Sequence, residues 1–374
     1  MSFEQNNVTK TKDDQFVFST SRRNFLGSTG GIAALGFFSG SSLGLVSQET
    51  EAGVGVGIID PLIANQRRDQ AYKIRQKAAI IQKQASIPDQ LTNSDEMLYS
   101  GKIANYSKGL PHNDLGEVDI NAYNALTNAL ASGDPASYEN IPLGGKAKLA
   151  NPQAAQTYSL EGRDSHAFVI PSFTPFNSEA LAGEMVEDYW HALARDVPFS
   201  QYGLEPITAA AIGDLSIFEN YSSVNANNLF RGTGPGEDNG PLVSQFLWKD
   251  IPYGPSTIVQ RYKSPVAGDV HMTQYADWLN IQRGGVATST IVFDNIDRYI
   301  RNAHDLAEWT HKDFSYQGFL NAALILMGMG VARDPHPYSG SLTQGAFITF
   351  GGPHILEMVA KAAYAGLKAA WYQK

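Results

Sequence analysis

The sequence contains no cysteine and few charged residues. The absence of cysteine excludes disulfide bonds, thiolate metal sites and cysteine nucleophiles. Charged residues make up 17% of the 374 residues, compared with roughly 25% in an average soluble domain. We therefore expect much of the surface to be uncharged or buried against other copies of the chain. The net charge of -9 argues against nucleic acid or an anionic membrane as a partner, because both favour a basic surface.

The sequence also lacks regular alternation of apolar and polar residues, which is typical of strands. In the irregular segment over residues 132–175, the only strand-like run covers residues 168–170. Helical spacing recurs along the chain, over residues 62–84, 119–129, 177–194, 206–228, 272–282, 293–312 and 315–330. The predicted fold class is therefore mainly α. The apolar run over 319–331 is too short to span a bilayer and predicts a buried core helix.

Two arginines near the beginning of the chain indicate an export signal. Arg22 and Arg23 precede a weakly apolar stretch that is rich in glycine and serine. This stretch is poorly suited to span a bilayer, whereas paired arginines before a mild apolar region are typical of a twin-arginine signal. We predict an export signal over residues 1–48 and a helical domain over 49–374. The protein is then expected in the periplasm or outside the cell.

The final helix has an apolar face that leads to a lysine. Pro353 is well placed in its first turn, and residues at helical spacing share one face: Val359, Ala363, Leu367, Trp371 and Lys374. No glycine, asparagine or proline follows as a stop signal. The pattern predicts a lysine directed at the core and a sequence that is cut inside a helix.

Two helices carry acidic residues and histidines at the spacing of a di-iron or di-manganese site. The residues are Glu184, Glu187, Asp188 and His191 on one helix and His304, Glu308 and His311 on another. A complete site also needs a glutamate from each of two further helices, and residues 61–86 contain none. We therefore predict no metal site, and a di-iron carboxylate oxidase is a remote alternative.

Polar residues also cluster in two irregular segments, 111–114 and 161–166. Such residues can line a cleft, but short polar side chains in loops more often bond to nearby backbone, and we expect the latter here. A catalytic triad of Ser165, His166 and Asp164 is excluded, because adjacent residues on an extended segment point to opposite sides.

Several phrases together resemble a known family. They are NYSKGLPHND at 105–114, DSHA at 164–167, GEMVE at 183–187, YW at 189–190, RDVPF at 195–199, FRG at 230–232, GP at 240–241, SQF at 244–246 and DRYIRNA at 297–303. In this order, and over most of the chain from about residue 60, they resemble the vanadium-dependent haloperoxidases of the algal bromoperoxidase type and their bacterial relatives.

The resemblance implies an α-helical fold of two four-helix bundles, related to the type-2 phosphatidic acid phosphatases, and a homo-oligomer. It implies an enzyme that oxidises halide with hydrogen peroxide to hypohalous acid, which halogenates an organic acceptor. The implied cofactor is orthovanadate. Because vanadate is a multiply charged oxyanion, lysine and arginine must bind its oxygens, and histidines must hold the vanadium and transfer protons.

The resemblance also assigns site residues at the end of the sequence. Lys374 matches the first vanadate contact and is the catalytic and cofactor-binding residue expected here, while Trp371 matches a position of the halide pocket. The other contacts of the family lie beyond Lys374, so we expect the chain alone to be inactive. The resemblance also implies a calcium site in the loop that corresponds to residues 336–346. Calcium is not expected here, since residues 338–344 contain no carboxylate and Ca²⁺ prefers carboxylate oxygens. The alternatives are an acid phosphatase of the same superfamily and a non-catalytic helical assembly protein.

Overall fold

The computed structural model describes residues 64–374 except 233–236 and 238–239, together with the backbone of strands at 7–10 and 16–19. Arg22, Arg23 and the predicted boundary at residue 48 lie outside the described residues. The export signal and the domain division therefore stay predictions.

Helices dominate the described chain, and the predicted mainly α fold class is confirmed. The α-helices are α1 (Ala64–Gln84), α2 (Asp95–Leu98), α3 (Ile120–Ser132), α4 (Pro135–Tyr138), α5 (Glu179–Ala194), α6 (Pro206–Leu215), α7 (Tyr275–Gln282), α8 (Ala303–Lys312), α9 (Gln317–Gly328) and α10 (Gly352–Gln373). The described strands form two antiparallel hairpins, β1 (Asn7–Lys10) with β2 (Phe16–Ser19) and β3 (Ile251–Tyr253) with β4 (Ser256–Ile258).

Two helices begin where a polar side chain caps the first turn. Asp119 precedes α3 and Ser178 precedes α5, and each accepts a hydrogen bond from the backbone N–H three residues later. These bonds satisfy a donor that has no partner inside the helix. The helices predicted over 119–129 and 177–194 are confirmed, and α3 continues to Ser132.

Other predicted elements are wrong because contacts with distant segments compete with local helix formation. The helix predicted over 206–228 ends at Leu215, since the chain then turns back and the Glu219 N–H donates to the carboxylate of Glu179 on α5. Of the helix predicted over 293–312, only α8 forms.

The segment before α8 pairs with distant backbone instead. Tyr262 and Arg298 form an antiparallel bridge, and so do Pro265 and Phe293. The strand-like run at 168–170 has no regular secondary structure and pairs with no described strand.

The apolar core is divided into several small clusters. One cluster surrounds α3 and a second lies beside α6; their buried residues are Leu110, Val118, Ala122, Ala129 and Ile141 in the first and Tyr202, Ala211, Leu215 and Leu229 in the second. A third cluster consists of Val243, Leu247 and Ile300. A fourth joins Phe246 and Ile251 to Ile325 on α9. Clusters of this size leave much apolar surface uncovered on neighbouring helices.

Helices α1 and α9 show this exposure. The prediction of a buried helix over 319–331 is wrong in part: Asn321 and Ile325 are buried, but Phe319 is 36% and Met329 63% exposed. Helix α1 has no buried residue. None of the described helices has the length and apolar character needed to cross a membrane.

Helix α10 packs through small residues. Its buried residues are Gly366, Ala369 and Ala370, and the helix contacts α9 and the 3₁₀ turn Pro152–Gln156. The face predicted from Val359 to Lys374 is only half-buried, and Lys374 itself is exposed. The prediction that this lysine is directed at the core is therefore wrong for the described chain.

Candidate functional site

The end of α10 brings together the two site residues that the sequence predicts, Trp371 in its last turn and Lys374 directly after it. Lys374 Nζ lies 5.1 Å from the ring centroid of Trp371 on the same helix. It also lies 4.3 Å from the ring centroid of Tyr106, which comes from a distant segment. Tyr106 belongs to a phrase that carries the family resemblance, but the sequence gives no signal that it contacts Lys374.

Charged side chains along α10 fix the helix to the loops beside it. Lys361 pairs with Glu161 at 2.7 Å and with Glu357, one turn earlier, at 3.0 Å. The hydrogen bond and charge of Lys361 lower the pKa of Glu161. Lys368, nearer the end of the helix, donates to the hydroxyl of Ser159. These contacts hold α10 along segment 159–161.

The ammonium of Lys374 differs from those of Lys361 and Lys368, which also bond to side-chain oxygens. Among the described residues no carboxylate lies within ion-pair distance of Lys374, and the aromatic faces attract its charge without neutralising it. An exposed ammonium of this kind fits one contact to an oxyanion such as orthovanadate. A multiply charged oxyanion needs several converging donors, and the nearby Trp371 Nε1 and Lys368 Nζ already donate to protein oxygens. The described residues thus fit one vanadate contact.

The loop that carries Tyr106 is braced by a buried histidine. His112 Nε2 lies 3.0 Å from Ser107 Oγ, and Nδ1 lies 2.8 Å from the Leu110 carbonyl oxygen. Burial lowers the pKa of His112; the bond to Leu110 opposes this shift and the charge of Arg283 adds to it. His112 therefore stabilises its own loop, as expected for the polar cluster at 111–114.

The second polar cluster, at 161–166, has the same role. Asp164 Oδ1 accepts hydrogen bonds from the backbone N–H of Ser165 at 2.7 Å and from its hydroxyl at 3.1 Å. The Ser165 hydroxyl is thus bonded to Asp164, not to His166. This geometry opens a short 3₁₀ turn and does not form a nucleophile and base pair.

A polar centre that sequence reasoning missed joins the end of α5 to the start of α8. Asp196 Oδ1 lies 2.7 Å from His304 Nδ1, and its Oδ2 accepts from the Gly268 N–H at 2.8 Å. Close by, Asp269 Oδ2 lies 2.9 Å from His271 Nε2. Burial acts to raise the pKa of Asp196, but the bonds from Gly268 and His304 outweigh it and the pKa is lowered. These pairs connect separate segments of the fold.

Several of the acidic and histidine residues of α5 and α8 have separate partners. Glu184 accepts from the Thr174 hydroxyl at 2.9 Å, Glu187 accepts from the Tyr221 hydroxyl at 2.7 Å, Glu308 pairs with Lys312, and His191 packs edge-on against Phe230. In the part of the chain that the structure describes, no three histidine or acidic residues are grouped so that they could hold a metal ion.

The loop over 336–346, where the family resemblance places a calcium site, is held by its own contacts. His336 stacks on Phe350 with ring centroids 5.9 Å apart, and its backbone N–H donates to the Ser339 hydroxyl at 2.8 Å. The loop contains no carboxylate, and the absence of calcium stays a prediction.

Comparison with known proteins supports the resemblance seen in the sequence. The chain is 32% identical over 336 residues to a vanadium-dependent bromoperoxidase of Ascophyllum nodosum. The alignment covers 84% of this chain and 59% of that protein. It is 29% identical over 390 residues to a vanadium-dependent bromoperoxidase of Corallina pilulifera, covering 82% of this chain and 65% of that protein. No family model matches.

The fold is also similar to a solved structure. The homohexameric second vanadate-dependent bromoperoxidase of Ascophyllum nodosum superimposes with a TM-score of 0.76 at 30% identity, over 85% of this chain and 56% of that chain. The chain is thus similar to vanadium-dependent bromoperoxidases in sequence and in fold, and it spans less than two thirds of the length of these relatives.

Proposed function

We propose that the chain is one part of a vanadium-dependent haloperoxidase. The observation that carries this proposal is the 32% identity over 84% of the chain to a bromoperoxidase. In the proposed reaction, halide, hydrogen peroxide and one proton give hypohalous acid and water. The halide loses two electrons and takes up one peroxide oxygen, and the other oxygen leaves as water. An organic acceptor would then be halogenated by the hypohalous acid.

The contribution of the described residues to this reaction lies at the end of α10. Lys374 presents an exposed ammonium that no described carboxylate neutralises, and it would donate to an oxygen of bound vanadate or peroxide. Vanadate, when bound, would supply the Lewis-acidic centre that polarises peroxide. Trp371, whose indole N–H is held by the Ala150 carbonyl at 2.9 Å, would form an apolar wall beside the halide.

The activity test compares two proteins in a bromide oxidation assay with hydrogen peroxide, with and without orthovanadate. One protein is the 374-residue chain, and the other extends it along its reading frame by the segment that the longer relatives contain. We expect vanadate-dependent oxidation from the extended protein alone, because a single lysine cannot hold a polyanion against water.

The same preparations distinguish the alternative functions. Hydrolysis of a phosphate monoester without bromide oxidation would contradict the proposal and indicate an acid phosphatase. Stoichiometric iron after aerobic purification would indicate a di-iron oxidase. An extended protein that assembles but has neither activity would indicate an assembly protein. Bromide oxidation by the 374-residue chain would show that the assignment of Lys374 as the first of several contacts is wrong.

The exposed apolar side chains favour self-association, and we propose a homo-oligomer. Apolar residues of α1 that face solvent in the single chain include Tyr72 at 59% and Ile80 at 56% exposure. Covering such a surface with another copy removes apolar area from water. Light scattering of the purified protein tests this assembly, and a monomer at micromolar concentration would contradict it.

We also propose export by the twin-arginine route, based on Arg22 and Arg23 before a mild apolar stretch. Replacing both arginines with lysine should retain the precursor in the cytoplasm, as measured by fractionation and immunoblotting. Unchanged export of this variant would contradict the proposal.

A further inference from the structure

The Lys374 ammonium contacts two aromatic rings from different parts of the chain. Its Nζ lies 4.3 Å from the ring centroid of Tyr106 and 5.1 Å from that of Trp371. Both distances are within the range at which a ring face attracts a cation. A lysine has a flexible four-carbon stem, so contact with rings on two segments limits the positions that its ammonium occupies.

The Tyr106 ring is carried by a fixed loop. The Leu110 N–H donates to the Ser107 carbonyl oxygen at 3.1 Å, and Ser107 Oγ contacts buried His112 at 3.0 Å. The Gly109 N–H donates to the Gln282 carbonyl oxygen at the end of α7, at 2.8 Å. The segment that directly follows Tyr106 is therefore tied to the core.

The second ring is fixed independently. Trp371 Nε1 donates to the Ala150 carbonyl oxygen at 2.9 Å. Two residues later, Gln373 Nε2 donates to the Leu91 carbonyl oxygen at 3.3 Å. The end of α10 is thus attached to two loops other than the one that carries Tyr106.

The nature of these contacts matters for an anion site. A carboxylate beside Lys374 would hold the ammonium but would also neutralise it and repel an oxyanion. A ring face attracts the cation through its quadrupole and carries no net charge. Two rings can therefore position the ammonium while its full charge remains available to a ligand.

We propose that Tyr106 is a positioning residue, whose ring holds the Lys374 ammonium against Trp371 so that it is pre-organised for an oxyanion. This inference rests on the proposed function only for the identity of the anion, vanadate. The ring, and not the hydroxyl, performs this role. Tyr106 is 52% exposed, so its replacement leaves no large cavity in the core.

The first test measures acetylation of individual lysines in the unliganded 374-residue chain by mass spectrometry. Since an exposed cation–ring contact is modest, its loss in Tyr106→Leu should raise the acetylation rate of Lys374 by about two- to fivefold. Tyr106→Phe keeps the ring and should retain the slow rate. An unchanged rate in Tyr106→Leu, or equal rates in the leucine and phenylalanine variants, would overturn the proposal.

Helix α10 offers a matched control. Lys368 Nζ lies 4.8 Å from the ring centroid of Tyr364, so Tyr364→Leu removes a similar contact elsewhere on the same helix. This variant should change the acetylation of Lys368 and leave that of Lys374 unchanged. Faster acetylation of both lysines in Tyr106→Leu would indicate general loosening of α10 and would also overturn the proposal.

The second test uses the extended protein and a titration with orthovanadate. The vanadate concentration at half-maximal bromide oxidation should rise about two- to fivefold in Tyr106→Leu and return to the original value in Tyr106→Phe. No rise in the leucine variant would overturn the positioning role. Because the acetylation test needs no activity, absence of bromide oxidation from the unmodified extended protein would contradict the proposed function separately.

Discussion

Replacing Gln260 with leucine is expected to destabilise the chain by about 3 kcal/mol. Gln260 is 2% exposed, and all of its side-chain bonding capacity is used. Its Nε2 donates to the carbonyl oxygens of Phe246 and Lys249. Its Oε1 accepts from the Tyr262 hydroxyl at 2.6 Å and from Asn321 Nδ2 at 3.1 Å. One amide thus joins the segment before β3, the segment after β4 and helix α9.

The expected loss is large because leucine has a similar size but cannot bond. It leaves two carbonyl oxygens and the Asn321 amide without this partner in a buried region, and each unsatisfied buried group costs about 1–3 kcal/mol. Burial is the main cause that raises the pKa of the Tyr262 hydroxyl to about 12, as expected where a polar group is poorly solvated.

Urea unfolding followed by circular dichroism measures the effect. Asn321→Leu should cost less, about 1 kcal/mol, because Gln260 keeps the Tyr262 hydroxyl as a donor. The matched control is Gln76→Leu: Gln76 also bonds a tyrosine hydroxyl, that of Tyr72 at 2.8 Å, but lies exposed on α1. Equal midpoints for Gln260→Leu and Gln76→Leu would show that the buried network does not stabilise the fold.

The Gln260 network also shows where sequence reasoning succeeds and where it does not. The starts of α3 and α5 were predictable, because Asp119 and Ser178 cap their helices through bonds within three residues. The bonds of Gln260 reach Phe246 and Asn321, and no local pattern marks a glutamine for such a role. For the same reason residues 293–302 were predicted as helix, although their backbone pairs with distant segments.

In the candidate site, too, the sequence predicts local features but not contacts between distant segments. Lys374 follows Trp371 by three residues at the end of α10, so the family resemblance of residues 371–374 was enough to single them out. The contact between Lys374 and Tyr106 depends on how α10 lies against the loop that His112 braces, and this packing has no periodic signal. The exposure of Lys374 was missed because the helix buries its small residues, Gly366 and Ala369, and not its larger ones.

The second large effect is expected from Lys374→Ala in the extended protein, where turnover in bromide oxidation should fall by about a hundredfold. The ammonium of Lys374 is exposed and is held by the rings of Tyr106 and Trp371. A donor fixed in advance stabilises the negative charge that develops on oxygen as the peroxide bond breaks, and it does not have to reorganise at that moment. Alanine removes the charge and the donor but keeps the helix, since alanine has the highest helix propensity.

The measurement is the rate of bromide oxidation at saturating peroxide and orthovanadate, with protein folding checked by circular dichroism. Lys368→Ala is the matched control, because Lys368 lies on the same helix and also contacts a ring but donates to Ser159. Its turnover should change less than twofold, a small fraction of the effect at Lys374. Lys374→Arg should recover only part of the rate, because the broad planar guanidinium cannot place a compact charge at the same point. Full activity in Lys374→Ala, or an equal loss in Lys368→Ala, would show that the oxyanion contact lies elsewhere in the protein.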